Sequence, residues 1–90
     1  MSARARVTVA NALGLHARAA ALFAKTAQGF AARVRVRKAE LEVDGTSIMD
    51  LMMLAAGPGS ALEIAAEGDE QEQAVAALTA LVEDHFHERG

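Results

Sequence analysis

The segment ARVRVRKAELEVDG, residues 32–45, alternates between apolar and charged side chains more regularly than any other part of the chain. Within each half of the segment every second residue is apolar. Val34 and Val36 alternate with arginines, and Leu41 and Val43 alternate with glutamates. A period of two residues is typical of a strand with one face on a core and the other in water. A tight turn near Lys38 and Ala39 would make a hairpin in which an outer row of arginines faces an outer row of glutamates. The basic run is therefore interpreted as half of a solvated charge ladder.

Two more strands and three helices are predicted from side-chain periodicity. Strands are expected where apolar residues alternate, and helices where they recur at intervals of three and four residues. Gly29 is expected to end the first helix as a left-handed cap. Capping boxes are expected at the second helix, from Ser47 to Asp50, and at the third, from Asp69 to Glu72. The predicted elements are a strand at 5–9, a helix at 16–28, the hairpin, a helix at 47–56, a strand at 62–67 and a helix at 69–86.

The order of these elements, β-α-β-β-α-β-α, predicts an α+β fold. Each strand has one wet face and each helix has one apolar side, so two layers satisfy them all. We expect an open-faced β-sandwich, with a four-stranded antiparallel sheet and three helices on one of its faces. The length is suited to one domain that covers residues 1–90. The loops that precede the helices would then lie at one edge of the sheet.

Composition excludes several classes of function. The formal net charge of −3 and an aromatic content of 3% argue against nucleic acid as a partner. The chain has no cysteine, which excludes disulfides, thiolate chemistry and cysteine-ligated zinc. The start, MSARARVTVA, has no apolar signal core, and no run is long enough to span a bilayer, so we expect a cytoplasmic protein without membrane insertion. His85 and His87 would face different sides of a frayed helix end, so no metal site is expected.

The stretch LGLHARAA places His16 after a glycine turn and at the start of a helix. A helix start offers N–H groups without partners and a partial positive charge, which together attract anions. An imidazole there could act as a nucleophile whose phosphorylated product is held by the backbone of Ala17 and Arg18 and by the Arg18 guanidinium. Gly14 would let the chain turn tightly enough to aim the ring outward. The residues alone leave open that His16 is a plain polar residue at a helix start and Arg18 a solvated charge.

The second predicted helix carries more apolar side chains than two turns can bury on one side. Methionine is first of all a core filler, but the number of apolar residues here requires that some of them are exposed. An adaptable, methionine-rich surface suits several protein partners. The apolar residues of this helix are Ile48, Met49, Leu51, Met52, Met53 and Leu54.

Two segments, NALGLHARAAALFAKTAQGF and GTSIMDLMMLAAGPGSALEIAAEG, resemble the histidine-containing phosphocarrier (HPr) family of the bacterial phosphoenolpyruvate-dependent phosphotransferase system. The resemblance runs from about Arg6 to Val82, and its G-[LI]-H-A-R and S-I-M strings are specific when found together at this spacing. The string LMMLAA is similar to the nitrogen-related branch of the system. The sequence leaves open whether the chain serves sugar transport or nitrogen regulation.

The resemblance implies a phosphoryl carrier that is not itself an enzyme and that needs no cofactor. His16 would accept a phosphoryl group on Nδ1 from enzyme I, itself charged by phosphoenolpyruvate, and pass it to an enzyme IIA-type acceptor, with Arg18 stabilising the phosphate. Ser47 corresponds to a serine that a dedicated HPr kinase/phosphorylase phosphorylates in many members. We expect the protein to be a monomer. The residues implied in partner docking are Ala19, Ala20, Ile48, Met49, Leu51 and Met52.

Two positions depart from the pattern of the family. Many members have proline where this chain has Ala19, so the geometry beside His16 and the phosphohistidine lifetime are expected to differ. Asp50 replaces a common glycine, and its charge opposes a phosphate on Ser47, which would then serve only as a helix cap. An alternative function is therefore a regulatory docking module that acts through Ser47 and the methionine-rich helix without phosphotransfer. A more distant alternative is a small-ligand-binding regulatory domain.

Overall fold

The computed structural model describes residues 1–88, which form one antiparallel sheet and a layer of helices. The predicted order of strands and helices is confirmed, with a short 3-10 helix added at the end. In chain order the elements are β1 (Ala3–Thr8), α1 (Ala17–Gln28), β2 (Arg33–Lys38), β3 (Leu41–Asp44), α2 (Ile48–Met53), β4 (Ala61–Glu67), α3 (Gln71–Glu83) and the 3-10 helix (His85–His87).

The four strands lie in the order β1-β4-β2-β3, and every neighbouring pair is antiparallel. Helix α3 packs on β1 and β4, while α1 packs between α3 and α2, and α2 contacts β3. The α+β prediction of an open four-stranded sheet with three helices is therefore confirmed. Glu88, at the end of the described chain, comes close to the loop that precedes α1, where its carboxylate accepts a hydrogen bond from Asn11.

The core is built from the faces that the periodicity predicted. In α1 the buried stripe includes Phe23 and the alanines at positions 20, 24 and 27. In β4 the buried positions are Leu62, Ile64 and Ala66, which alternate with more exposed residues. Phe86, in the 3-10 helix, is 1% exposed. His85 and His87 are exposed, as expected, but the segment is not frayed, because its phenylalanine packs in the core and holds the chain against α1 and α3.

The charged outer face of the sheet differs from the predicted two-strand ladder. Arg35 Nε lies 3.4 Å from Glu42 Oε2, as a hairpin ladder requires. Arg4 and Arg37 both donate to Glu63 Oε1, each at 3.1 Å. Glu63 belongs to β4, which separates β1 from β2, so the ladder extends across the sheet. Leu41, predicted to point inward, is 43% exposed, because β3 is an edge strand that begins at the hairpin turn.

Two predicted helix boundaries are also corrected. Gly29 has φ −79° and ψ −3°, so it ends α1 in the right-handed region and is not a left-handed cap. Helix α3 begins at Gln71, and the predicted capping box between Asp69 and Glu72 is not formed. Its N-cap residue, Glu70, uses its carboxylate to accept a hydrogen bond from the backbone N–H of Ala31 at 2.8 Å.

Candidate functional site

The loop that precedes α1 is fixed by its backbone against the segment that follows α2. Gly14 has φ +65°, and a Cβ added there would lie 2.5 Å from the carbonyl oxygen of Ala56. The N–H of Leu15 donates to that same oxygen at 2.8 Å. Only glycine allows the two backbone segments to approach so closely in this conformation. The sequence prediction of a tight glycine turn next to the histidine is confirmed.

His16 is the N-cap residue of α1. Its backbone is extended, with φ −79° and ψ 179°, and its side chain makes no capping hydrogen bond. Its carbonyl oxygen accepts from the N–H of Ala20 at 2.8 Å, which is the first intrahelical bond. The N–H groups of the three residues between them therefore remain without intrahelical partners. The half-buried imidazole lies at the positive end of the helix dipole, as a site for an anion requires.

The hydrogen-bond partner of the imidazole comes from the end of the described chain. His16 Nε2 is hydrogen-bonded to Glu88 Oε2. The second carboxylate oxygen of Glu88 accepts from Asn11 Nδ2 at 2.9 Å, and the same amide group donates to the carbonyl oxygen of Gly14 at 2.8 Å. The hydrogen bond from His16, followed by the one from Asn11, holds the pKa of Glu88 below its ordinary value, and the charges of His16 and Arg18 lower it further. Burial acts in the opposite direction and raises this pKa.

Arg18 is exposed on the first turn of α1, next to this group. Within residues 1–88 its guanidinium takes part in no salt bridge or side-chain hydrogen bond, so its donors are available to a ligand. Its positive charge reaches Glu88, as the lowered pKa of that carboxyl indicates. Ala17, whose backbone was predicted to bind phosphate together with that of Arg18, is also exposed.

Ser47 is the N-cap residue of α2, and half of the predicted capping box is present. Ser47 Oγ accepts from the N–H of Asp50 at 3.2 Å. The carboxylate of Asp50 does not return to Ser47 but accepts from the N–H of Asp44 at 3.3 Å. The N–H of Ser47 instead donates to the carbonyl oxygen of Asp44 at 3.2 Å. The structure thus accounts for Ser47 as a helix cap and leaves its regulatory role as a prediction.

The docking residues named from the sequence fall into two groups. Ile48, Met49 and Met52 are exposed, with Met49 at 78%. The side chains of Ala19, Ala20 and Leu51 are completely buried, so that part of the docking prediction is corrected. The two alanines face the core from α1, and Leu51 is the residue of α2 that packs inward. We define the apolar patch as the exposed residues Leu13, Ile48, Met49, Met52 and Met53.

Sequence reasoning missed three residues of the site. Leu13 is 70% exposed in the loop before His16, although its apolar side chain gave no reason to place it outside. Asn11 is buried and bonded to the loop, but a single asparagine before a glycine turn is a common turn residue. Glu88 is 72 positions from His16, and no local pattern links two residues so far apart.

No other site emerges from the part of the chain that the structure describes. Residues 1–88 contain no group of three histidine, cysteine or carboxylate side chains that could hold a metal ion. His87 pairs with Asp84, and His85 lies exposed on the same 3-10 helix. Within these residues no helix is long and apolar enough to cross a membrane.

This chain is similar to known proteins both in sequence and in structure. Residues 3–84 match the family model described as the PTS HPr component phosphorylation site. The phosphocarrier protein HPr of Pseudomonas aeruginosa is 48% identical over 83 residues, which are 91% of this chain and 92% of that protein. The crystal structure of HPr-C-His from Thermoanaerobacter tengcongensis is 39% identical in sequence. Its TM-score is 0.94, and the match covers 98% of this chain and 99% of that one.

A second structure from Thermoanaerobacter tengcongensis, of an HPr dimer, is 44% identical to this chain. Its TM-score is 0.77, and the match covers 83% of this chain and 86% of that one. The family model spans nearly all of the described residues and contains the loop, α1 and the segment around Ser47. The chain therefore belongs to the HPr family of phosphocarrier proteins of the phosphotransferase system.

Proposed function

We propose that His16 receives a phosphoryl group on Nδ1 from phosphorylated enzyme I and transfers it to an enzyme IIA-type protein. The observation that carries this proposal is the position of the ring at the N-cap of α1, with Nε2 engaged by Glu88. Within residues 1–88, Nδ1 has no hydrogen-bond partner, so its lone pair is available to an incoming phosphorus. The Nδ1–P bond forms as the bond from phosphorus to the donor atom breaks, and the electron pair of that bond stays with the donor.

The first turn of α1 supports the product of this step. The backbone N–H groups of Ala17 and Arg18 precede the first intrahelical bond and can donate to phosphate oxygens. The exposed guanidinium of Arg18 adds donors that match phosphate geometry and a fixed positive charge. With Ala19 where proline is common in the family, the first turn keeps one further N–H group.

Partner proteins would dock on the apolar patch. Four of its residues lie on α2, and the fifth, Leu13, lies in the loop beside His16. That loop and the segment after α2 are joined by the hydrogen bond from Leu15 to Ala56. A partner bound to the patch would therefore lie next to the imidazole. Flexible methionines suit a surface that must accept a donor and an acceptor of different shapes.

The phosphorylation assay tests this function directly. Incubation with enzyme I and labelled phosphoenolpyruvate should give a label that is labile in acid and stable in base. His16→Ala should remove the label, while His85→Ala, which changes an exposed histidine of the 3-10 helix, should keep it. Label that remains in His16→Ala would assign the phosphoryl group to another residue and refute the proposal.

Regulatory docking through Ser47 is the second candidate function. Ser47 lies at the start of α2, next to the apolar patch, so a phosphate there would change the charge of the docking surface. Its hydroxyl already accepts the N–H of Asp50, and the Asp50 carboxylate is bound to the backbone of Asp44. If this module works without phosphotransfer, partner binding responds to phosphorylation of Ser47 and not to His16→Ala. The phosphocarrier proposal instead requires that phosphoryl transfer is lost in His16→Ala.

The remaining expectations concern the setting of this carrier. We propose that it acts in the cytoplasm as a single-domain monomer, with the nitrogen-related or the sugar-transport branch decided by the acceptor that it charges fastest. Sedimentation at assay concentrations tests the monomer, for which a stable dimer would be the contrary result. HPr kinase/phosphorylase is the proposed partner for Ser47, and incubation with that enzyme and ATP would show whether Asp50 permits the reaction.

A further inference from the structure

Asn11, Glu88 and His16 form a chain of hydrogen bonds that ends at Nε2 of the imidazole. Glu88 accepts from Asn11 with one carboxylate oxygen and is bonded to His16 Nε2 with the other. Its backbone N–H donates to the carbonyl oxygen of His85 at 2.9 Å. Phe86, two positions earlier, is 1% exposed, so the 3-10 helix is fixed to the core next to the site. Glu88 is therefore held in place by several contacts and is not a loose terminal side chain.

Asn11 has only one amide orientation that satisfies its neighbours. Both groups in front of its Nδ2, the carbonyl oxygen of Gly14 and the carboxylate of Glu88, are hydrogen-bond acceptors. An inverted amide would place an oxygen against both acceptors. Asn11 as a whole is 4% exposed, and its Oδ1 has no partner within residues 1–88. The Asn11 amide group therefore donates one hydrogen bond to the loop and the other to Glu88.

The proton in the contact between His16 and Glu88 belongs to the imidazole. The pKa of the Glu88 carboxyl lies below its ordinary value, so the group is ionised near neutral pH and can only accept hydrogen bonds. The shared proton is then on Nε2. In a neutral imidazole this leaves the lone pair on Nδ1, the nitrogen that would attack phosphorus.

We propose that Glu88 is a positioning residue for His16: its carboxylate, oriented by Asn11, binds Nε2–H and thereby directs the Nδ1 lone pair to the phosphoryl group. This inference rests on the proposed function, because it takes Nδ1 as the acceptor atom. The ring also gains positive charge as Nδ1 gives its lone pair to phosphorus, and Nε2 keeps its proton in that product. A carboxylate bound to Nε2–H stabilises this charge in the same way that a buried aspartate supports a catalytic histidine.

Nuclear magnetic resonance of the protein alone tests the positioning step without any donor. With 15N-labelled histidine, His16 of the wild type should show a protected Nε2–H proton and predominantly the Nε2–H tautomer. Glu88→Ala should abolish the protected proton, and Glu88→Gln, which keeps an acceptor oxygen, should retain much of it. Glu83→Gln removes the same charge from an exposed position of α3 and should leave the signal unchanged. An unchanged Nε2–H signal in Glu88→Ala overturns the proposal.

Steady-state phosphorylation by enzyme I tests the consequence for transfer. Glu88→Ala should lower kcat by about 10-fold, the smaller of the effects seen when an orienting partner of a histidine is lost. KM should remain unchanged, because the apolar patch is intact. Glu88→Gln should fall between the wild type and Glu88→Ala, and Glu83→Gln should match the wild type. A kcat of Glu88→Ala within about twofold of the wild type, or a change in KM alone, overturns the proposal.

The two failures are distinguishable. If wild-type His16 takes no label from enzyme I, the proposed function fails, while the Nε2–H signal still reports on Glu88. If His16 is labelled and Glu88→Ala behaves as the wild type in both assays, the function stands and the positioning role is refuted. Thermal unfolding of each variant separates either result from loss of the fold.

Discussion

Gly14→Ala should destabilise the protein because two separate costs coincide at this position. The backbone there has φ +65°, and the added Cβ would lie 2.5 Å from the carbonyl oxygen of Ala56 and 2.9 Å from the Cα of Gly57. A left-handed conformation costs an L residue about 1–2 kcal/mol. The clash is with backbone atoms, so one of the two segments must move. That movement weakens the hydrogen bond from Leu15 to Ala56, which is worth about 1 kcal/mol.

Alanine also lowers the conformational entropy of the unfolded chain, which stabilises the folded state by about 0.4–1 kcal/mol. The net loss in the free energy of unfolding is then about 2 kcal/mol. In a domain of this size that corresponds to a fall in Tm of about 10 °C. Urea and thermal denaturation, followed by circular dichroism, measure both quantities.

Two other glycines of the same region separate the two costs. Gly59 has φ +90° and nothing within 4 Å of an added Cβ, so Gly59→Ala should show the conformational cost alone. Gly57 has neither a positive φ nor a neighbour within 4 Å, so Gly57→Ala should leave stability within about 0.5 kcal/mol of the wild type. If Gly14→Ala is as stable as Gly59→Ala, the close approach to Ala56 carries no energy and the reasoning is refuted.

Two further predictions concern a carboxylate and the second helix. The pKa of Asp44 is lowered by hydrogen bonds from the backbone and then the hydroxyl of Thr46, so its stabilising effect is present above its unfolded pKa and is lost as pH falls through its folded pKa. The stability gap between wild type and Asp44→Asn should therefore shrink between about pH 5 and pH 2 in urea titrations, and a constant gap would contradict it. Leu51→Ala should lower the free energy of unfolding by about 2–5 kcal/mol, because its side chain is fully buried. Met49→Ala should change stability by less than about 0.5 kcal/mol but weaken the binding of enzyme I measured by titration, and equal effects of the two variants would refute the assigned patch.

Local periodicity was sufficient for most of the sheet and for α1. Side chains two apart share a strand face and those three or four apart share a helix face, whatever the rest of the chain does. The buried positions of β4 and the stripe around Phe23 were therefore predictable. Leu41 was not, because the exposure of an edge residue depends on which strands lie beside it, and the strand order is a property of the whole sheet.

Helix α2 marks a different limit. Nearly all of its residues are apolar, so periodicity within the helix gives no preferred face. Leu51 and Met49 are equivalent in hydrophobicity at the level of a pattern, yet one is fully buried and the other is 78% exposed. The packing of α2 against α1 and β3 decides between them. The resemblance to a family pointed to this segment but could not by itself separate its exposed side chains from its core side chains.

The site around His16 has one part that the local sequence predicts and another part that depends on the folded chain. His16, Ala17 and Arg18 are contiguous, and a helix start places them together by geometry alone, which is why they were found in the sequence. The parts that orient the ring are distant: Ala56 fixes the loop, and Glu88 is bonded to Nε2. Under the proposed function, the attraction of phosphate is encoded locally, whereas the choice between the two ring nitrogens depends on the folded chain. Changes at Arg18 should act on the binding of phosphate, and changes at Glu88 should act on which nitrogen is the nucleophile.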